Sequence, residues 1–266
     1  MNRLSSLFQN KKSDILNVYF TAGFPNLEDT GEIIRALGNN GVDLIEVGMP
    51  YSDPLADGAT IQLSGAKALA NGMSLEILFK QIKEARRNST VPIILMGYIN
   101  QVMQFGEEKF FKMCAASGVD GLILPDLPIA DYDKKFKILI AESGLSISFL
   151  ITPQTPVERI KLIDKFTTGF VYVVSSYAIT GGKTGITLEQ IEYFKRIERM
   201  KLNNPQLIGF GISDKKTFDI ACAHAQGAII GSAFIRTLER GAERGQRIDE
   251  TVSEFINAVR GVSYLV

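Results

Sequence analysis

The chain alternates short apolar runs with longer segments of helical periodicity, and this alternation constrains its fold more than any other feature. The apolar runs are rich in β-branched residues and nearly continuous, as expected of strands that are covered on both faces by helices. Eight strands are predicted, at residues 15–20, 43–47, 91–96, 119–124, 146–151, 170–175, 206–210 and 228–231. The helical segments between them cover residues 27–40, 60–87, 107–117, 132–143, 157–166, 188–202, 214–226 and 232–259.

Glycines separate several helical segments from the strands that follow them. They are Gly41, Gly118, Gly144, Gly169 and Gly227. A glycine in the left-handed backbone conformation commonly ends a helix, so we expect positive φ angles at these positions. The repeated order of helix, glycine and strand indicates successive βα units.

Eight βα units within 266 residues favour one closed domain. A (β/α)8 barrel typically needs about 250 residues. The predicted fold class is therefore α/β, as a single (β/α)8 TIM barrel over residues 1–266, with extra helical insertions after strands 2 and 6 where the spacing between strands is long. An open doubly wound sheet is the alternative, and it would also place a ligand at the carboxyl ends of the strands.

Composition excludes several classes of protein. The chain has 29 basic and 29 acidic residues, so it lacks the net charge typical of proteins that bind nucleic acids or anionic membranes. No apolar run is long enough to span a membrane, and the N-terminus does not resemble a signal peptide. The two cysteines cannot form a disulfide framework. We expect a reduced, cytoplasmic protein.

A buried acid and an acidic loop are the main candidates for catalysis. Glu46 lies among apolar residues near the end of the second predicted strand, which is a costly place for a charge unless the side chain turns outward into an ion pair. The loop that follows is rich in proline and acids, which is typical of a functional loop. In it, Asp53 precedes Pro54 and is assigned a turn, whereas Asp57, beside Gly58, can reach over the barrel mouth.

Glycines recur in the last three loops and predict an anion site. They occur at Thr180-Gly181-Gly182, at Gly209-Phe210-Gly211 and at Gly231-Ser232. Helix N-termini after strands 7 and 8 could then hold a phosphate through their N–H groups. The single histidine, His224, and the absence of lysine from the predicted strands disfavour a metal site and a Schiff base. Acid/base chemistry on a phosphorylated substrate, led by Glu46 and Asp57, is the remaining interpretation.

Five segments resemble one family, the α subunit of tryptophan synthase. They are Tyr19-Phe20-Thr21-Ala22-Gly23-Phe24-Pro25, Ile45-Glu46-Val47-Gly48-Met49-Pro50-Tyr51-Ser52-Asp53-Pro54-Leu55-Ala56-Asp57-Gly58, Met96-Gly97-Tyr98-Ile99-Asn100, Leu124-Pro125-Asp126-Leu127-Pro128 and Gly209-Phe210-Gly211-Ile212. The resemblance departs from the family's usual pattern at Ala178-Ile179 and at Ala59. It extends from the first predicted strand to the last, and the acid pair in the second segment is its most specific part.

The resemblance implies a lyase that cleaves indole-3-glycerol phosphate to indole and glyceraldehyde 3-phosphate by a retro-aldol reaction. By position, Glu46 matches the family's acid/base, and Asp57 matches the carboxylate that binds the indole N–H. The positions that match substrate-binding residues are Phe20, Leu95, Tyr172 and Thr180, and those that match phosphate-binding residues are Gly181, Gly211, Gly231 and Ser232.

The resemblance also implies a partner. Family members work with a β subunit that carries pyridoxal phosphate, so we expect an α2β2 heterotetramer and no cofactor in this chain. The loops at residues 50–54 and 126–130 are the expected contacts. Two other functions stay open: another phosphate-binding barrel, such as an isomerase of the same pathway, and an inactive subunit that only activates a β partner.

Overall fold

Parallel strands close into a barrel. The computed structural model describes residues 2–55, 57–175, 186–209 and 211–262. Its strands are β1 Ile15–Thr21, β2 Leu44–Gly48, β3 Ile93–Met96, β4 Gly121–Ile123, β5 Ser146–Ser148, β6 Leu150–Ile151, β7 Val171–Val174, β8 Gln206–Gly209 and β9 Gly227–Ile230. They pair in the order β5-β4-β3-β2-β1-β9-β8-β7-β6.

The two ends of this order belong to one predicted strand. β5 and β6 are separated only by Phe149, whose carbonyl accepts a hydrogen bond from the Tyr172 N–H at 2.9 Å. The segment 146–151 therefore contacts β4 on one side and β7 on the other. This closes the sheet into the predicted eight-unit barrel and excludes the open doubly wound sheet.

Helices cover the outside of the barrel. They are α1 Arg3–Asn10, α2 Asp29–Asn39, α3 Ala59–Ala70, α4 Leu75–Ala85, α5 Ile99–Phe105, α6 Glu107–Ser117, α7 Ile129–Asp131, α8 Lys137–Glu142, α9 Val157–Phe166, α10 Leu188–Arg199, α11 Lys215–Cys222, α12 Ser232–Glu243 and α13 Ile248–Arg260. A π-helical turn, Tyr132–Phe136, joins α7 to α8.

The helices confirm most of the predicted segments and add two. The predicted insertion after strand 2 is α3, which precedes α4 of the βα unit. The predicted insertion after strand 6 falls partly on residues 176–185, outside the described residues. α1 and α5 were not predicted. The signal for α1 was Asn2, whose side chain caps the helix by accepting the Ser5 N–H at 3.0 Å.

The glycines before strands serve two different purposes. Gly41, Gly118 and Gly144 have φ angles of 73°, 87° and 68°, as predicted for helix ends. The prediction was wrong for Gly169 and Gly227, which do not have positive φ. A Cβ on Gly169 would overlap the Ser148 side chain, and one on Gly227 would overlap the backbone of Ile15. Close packing of neighbouring chain segments is what requires glycine at these two positions.

The strand register decides which side chains enter the barrel lumen. Every residue of β1 and β2 is buried. Tyr19 pairs with Glu46, and the next pair is Phe20 with Val47. Because side chains alternate along a strand, these two pairs lie on opposite faces of the sheet.

The described helices include none that is long and apolar enough to cross a membrane.

Candidate active site

Glu46 is buried in the lumen of the barrel. It lies on β2, and its side chain is only 1% exposed. Its Oε2 accepts a hydrogen bond from Asn17 Nδ2 of β1 at 2.9 Å. No lysine or arginine among the described residues pairs with it. Burial therefore raises the pKa of Glu46 to about 8, with a smaller increase from the charge of Asp57, while the Asn17 hydrogen bond opposes the rise.

Asp57 follows β2 in the loop before α3. It is 8% exposed, and its Oδ2 accepts a hydrogen bond from the Tyr98 hydroxyl at 3.1 Å. The ring of Tyr98 stacks on that of Tyr51, with 5.1 Å between the ring centroids. Burial raises the pKa of Asp57 to about 6, and the Tyr98 hydrogen bond opposes the rise. Asp53 in the same loop is exposed.

Two tyrosines line the lumen beside these acids. Tyr19 lies on β1 and Tyr172 on β7, and both are 5% exposed. Burial raises the pKa of each hydroxyl well above its ordinary value, and the charges of Glu46 and Asp57 raise it further. A Cβ on Gly48 would overlap the Tyr19 hydroxyl, and one on Gly209 would overlap that of Tyr172. Both glycines therefore leave room for a phenol at a strand end.

The structure does not bring Phe20 and Leu95 into this cluster. Phe20 pairs with Val47, and Val47 pairs with Leu95, so all three share the face opposite to Glu46. Both predicted pocket residues pack instead toward the helical layer. Tyr19 and Met96 are the neighbours of Phe20 and Leu95 on the Glu46 face. Identifying them requires the register between neighbouring strands, which the structure supplies.

The predicted anion site is only partly described. Thr180 and Gly181 lie outside the described residues. Gly211 has a φ of 77°, in the region that favours glycine. Gly231 immediately precedes α12, whose first residue is Ser232. Gly231 has no side chain to cap this helix, and its first turn contains no acid. The N–H groups of that turn remain suited to an anion.

The helix after β8 differs from this expectation. The N-terminus of α11 is capped by Asp214, which accepts the Thr217 N–H at 2.8 Å. A carboxylate of the chain itself thus occupies the N-terminus that was predicted to share the anion site. Of these two helices, α12 has the N-terminus that is suited to an anion.

His224 has a packing role in the structure. Its ring lies 6.1 Å from that of Phe194, and Nδ1 is 3.5 Å from Glu198 Oε2. Within the described ranges, no three His, Cys, Asp or Glu side chains are placed so that they could hold a metal ion.

The lumen brings together groups suited to proton transfer. Glu46 and Asp57 have pKa values shifted toward neutrality, and each is electrostatically coupled to Tyr19 and Tyr172. A group whose pKa lies near the working pH exchanges protons in both directions most effectively. Both acids are buried, so little of their surface is accessible to solvent.

Comparison with known proteins agrees with this geometry. A family model described as tryptophan synthase alpha chain matches residues 5–262. The tryptophan synthase alpha chain of Parabacteroides distasonis is 51% identical over 250 residues, which cover 94% of this chain and 97% of the relative. That of Flavobacterium johnsoniae is 50% identical over 261 residues, which cover 98% and 100%.

Solved structures show the same likeness. The alpha-subunit of Pyrococcus furiosus superposes with a TM-score of 0.84 at 36% identity, over 95% of this chain and 100% of that one. The subunit alpha of Legionella pneumophila superposes with a TM-score of 0.87 at 28% identity, over 98% of both chains. Tryptophan synthase alpha chains are lyases of tryptophan biosynthesis that cleave indole-3-glycerol phosphate. They hold no cofactor of their own, because the pyridoxal phosphate is in the β chain. The present chain therefore belongs to the tryptophan synthase alpha chain family.

Proposed function

We propose that Glu46 and Asp57 carry out the family's retro-aldol cleavage in this chain. Protonation of indole C3 converts the ring to an indoleninium cation. The electrons of the breaking carbon–carbon bond then move to the ring nitrogen, while the glycerol hydroxyl loses its proton and becomes the aldehyde of glyceraldehyde 3-phosphate. The observation that carries this proposal is the buried Glu46 carboxyl, coupled to Asp57 and lacking a cation partner among the described residues.

Glu46 is assigned the proton transfers. A pKa of about 8 makes its carboxylate a stronger base than an exposed glutamate, and its protonated form remains available near neutral pH. It takes the proton of the glycerol hydroxyl and delivers one to C3. The two transfers balance, so the step needs neither an external acid nor an oxidant.

Asp57 is assigned the developing positive charge. Its carboxylate accepts the indole N–H and stabilises the cation that forms on the ring nitrogen. The Tyr98 hydrogen bond favours the ionised form of Asp57, which is the form this role requires. The aromatic faces of Tyr19 and Tyr172, together with Met96, form the walls against which an indole ring can lie.

The phosphate of the substrate is assigned to the loops after β7, β8 and β9. Gly231 and Ser232 offer the uncapped N-terminus of α12, and Gly211 adds the loop after β8. Thr180 and Gly181 complete the proposed set. Backbone N–H groups and the helix dipole bind a phosphate without any basic side chain, which agrees with the zero net charge of the chain.

An alpha chain has a β-chain partner. The surface of the present chain that binds this partner is assigned to the mouth of the barrel around Asp57. Leu55 and Leu63 are 80% and 72% exposed there, beside a groove of about 660 Å³. Asn100 donates to the Tyr51 hydroxyl at 2.6 Å, and Asp126 accepts the Ile99 N–H at 2.9 Å. These contacts tie the predicted loops 50–54 and 126–130 into one surface. We infer an α2β2 heterotetramer in the cytoplasm.

The test is cleavage of indole-3-glycerol phosphate by the purified chain, with and without a β chain. Glu46→Gln preserves the shape of the side chain and removes its proton transfer, so kcat is expected to fall by about 10²–10⁴-fold. Glu158→Gln, at a highly exposed glutamate of α9, is the control and should match the parent.

The same assay distinguishes the alternatives. An inactive subunit would release no indole, yet would still activate the β chain. An isomerase of the same pathway would convert its own substrate and not this one. Indole release that is unchanged by Glu46→Gln would contradict the proposed role of the carboxyl.

A further inference from the structure

Asn17 is the polar residue of an otherwise apolar stretch of β1. Its neighbours Ile15, Leu16 and Val18 are all 0% exposed, and so is Asn17 itself. Its Nδ2 donates to Glu46 Oε2 at 2.9 Å, with both residues buried. Within the described part of the chain its Oδ1 has no hydrogen-bond partner. An apolar side chain would avoid that cost, so packing alone does not explain an amide here.

We propose that Asn17 is a positioning residue for the cleavage, holding Glu46 through Oε2 and leaving Oε1 as the oxygen that exchanges the proton with substrate. This inference rests on the proposed role of Glu46. It goes beyond that role, because it assigns the two carboxyl oxygens different tasks and identifies the group that separates them.

The chemistry of the amide makes the assignment specific. Nδ2 faces Oε2, and an amide N–H donates most strongly to a carboxylate oxygen or to the carbonyl oxygen of a neutral carboxyl. When Glu46 is protonated, this hydrogen bond favours the proton on Oε1. The hydrogen bond also limits rotation of a side chain with three torsions, so that Oε1 keeps one orientation toward the lumen. Asn17 in this way directs each proton to the same oxygen.

The hydrogen bond has a second effect on the same group. It favours the ionised carboxyl and opposes the effect of burial. Without it, the carboxylate would form at a higher pH, and less of the base would be present at neutrality. Loss of Asn17 should therefore lower kcat through both orientation and ionisation, whereas KM, set by phosphate and indole contacts, should change little.

The experiment compares Asn17→Leu and Asn17→Ser with the parent. Leu has a similar volume and no donor, and Ser keeps a hydroxyl donor and serves if the Leu variant folds poorly. For Asn17→Leu we expect kcat at pH 7 to fall roughly tenfold, with KM within about twofold, and the acidic limb of the pH profile to move up by about one pH unit. Asn17→Ser should lie between Asn17→Leu and the parent.

A direct readout is the NMR titration of protein labelled with ¹³C at glutamate carboxyls. The resonance missing in Glu46→Gln identifies Glu46, and its midpoint should be higher in Asn17→Leu than in the parent. Ser148→Ala is the matched control, since Ser148 is a buried polar residue whose Oγ accepts the Phe170 N–H at 3.1 Å. It should leave the Glu46 midpoint unchanged.

The outcomes separate this inference from the function on which it rests. If Glu46→Gln is inactive while Asn17→Leu and Asn17→Ser keep the parent's profile and midpoint, the role of Asn17 is refuted and that of Glu46 stands. If Glu46→Gln retains full activity, the proposed roles of Glu46 and Asn17 are both refuted. A shift produced equally by Ser148→Ala would show a general packing effect and would also overturn the assignment.

Discussion

The two ends of the barrel surround a buried acid with different partners, which are cationic at one end and neutral at the other. Asp120 precedes β4 at the N-terminal end and is 1% exposed, as is Glu46 at the C-terminal end. Asp120 accepts hydrogen bonds from Arg86 at 2.6 Å, from Arg3 at 3.0 Å and from the Ile93 N–H at 2.9 Å. Among the described residues, the hydrogen-bond partner of Glu46 is a neutral amide, that of Asn17.

A second acid at the N-terminal end repeats the first pattern. Asp43 precedes β2, three residues before Glu46, and binds Lys11 at 2.7 Å and Arg260 at 2.8 Å. These pairs join α1 and α13 to the strands. Removing one partner of a buried ion pair is strongly destabilising, because the remaining charge is left buried without compensation. This difference agrees with the proposal that the acids at the C-terminal end serve the chemistry, whereas those at the N-terminal end serve the structure.

The largest effect is expected from breaking a pair at the N-terminal end. Arg86→Met removes the buried partner of Asp120 and the donor to the Gly118 and Val91 carbonyls. Arg3 remains as an ionic partner of Asp120 among the described residues, so the free energy of unfolding should fall by about 3 kcal/mol. The pH profile of the folded enzyme should not change. Urea denaturation measures the first effect and steady-state kinetics the second. Lys161→Met, which breaks an exposed pair with Glu158, should cost less than about 1 kcal/mol.

At the C-terminal end a new charge should act on substrate binding. Gly211→Asp places a carboxylate near the proposed phosphate, and KM should rise roughly a hundredfold. The backbone at Gly211 has positive φ, so any side chain there is strained. Gly211→Asn is the matched control, because it has the same shape and strain without the charge. Equal KM values for the two variants would count against a phosphate at this position.

A smaller effect is expected from the support of Asp57. Tyr98→Phe removes the hydrogen bond that lowers the pKa of Asp57, so that pKa should rise above about 6. Less of the ionised form is then present at pH 6, and activity there should fall several-fold and recover at higher pH. Tyr132→Phe, at a buried tyrosine that packs against Phe149 and Phe166, is the control. Identical pH profiles for the two variants would contradict this role of Tyr98.

Periodicity predicted the barrel because the strands are apolar on both faces and the helices are not. The position of Glu46 within an apolar strand, where a charge is costly, and the position of Asp57 in the loop that follows predicted both as candidate catalytic residues. The same reasoning missed Asn17 and Tyr98, because their roles depend on contacts between residues 29 and 41 positions apart. Asn17 is an amide within an apolar predicted strand, but the sequence does not show which side chain it contacts.

The pocket residues show a different limit. Phe20 and Leu95 were chosen by resemblance and are displaced by one position from the lumen face. In a strand, one position reverses the direction of the side chain, so a small shift in alignment exchanges the pocket for the helical layer. The capped N-terminus of α11 was also missed, although Asp214 followed by Thr217 is a recognisable capping pattern.

The pH dependence of stability in Glu46→Gln tests the central claim most directly. The folded pKa of Glu46, about 8, lies above its ordinary value of 4.5, so the folded parent binds the extra proton between these pH values and loses stability as the pH rises through them. Glutamine carries no such proton. Denaturation at pH 5 and at pH 9 measures the unfolding free energy of the variant and the parent. From pH 5 to pH 9, the unfolding free energy of the variant relative to that of the parent should increase by roughly 3–5 kcal/mol. A difference in unfolding free energy that stays constant with pH would contradict a buried, unneutralised carboxyl at this position.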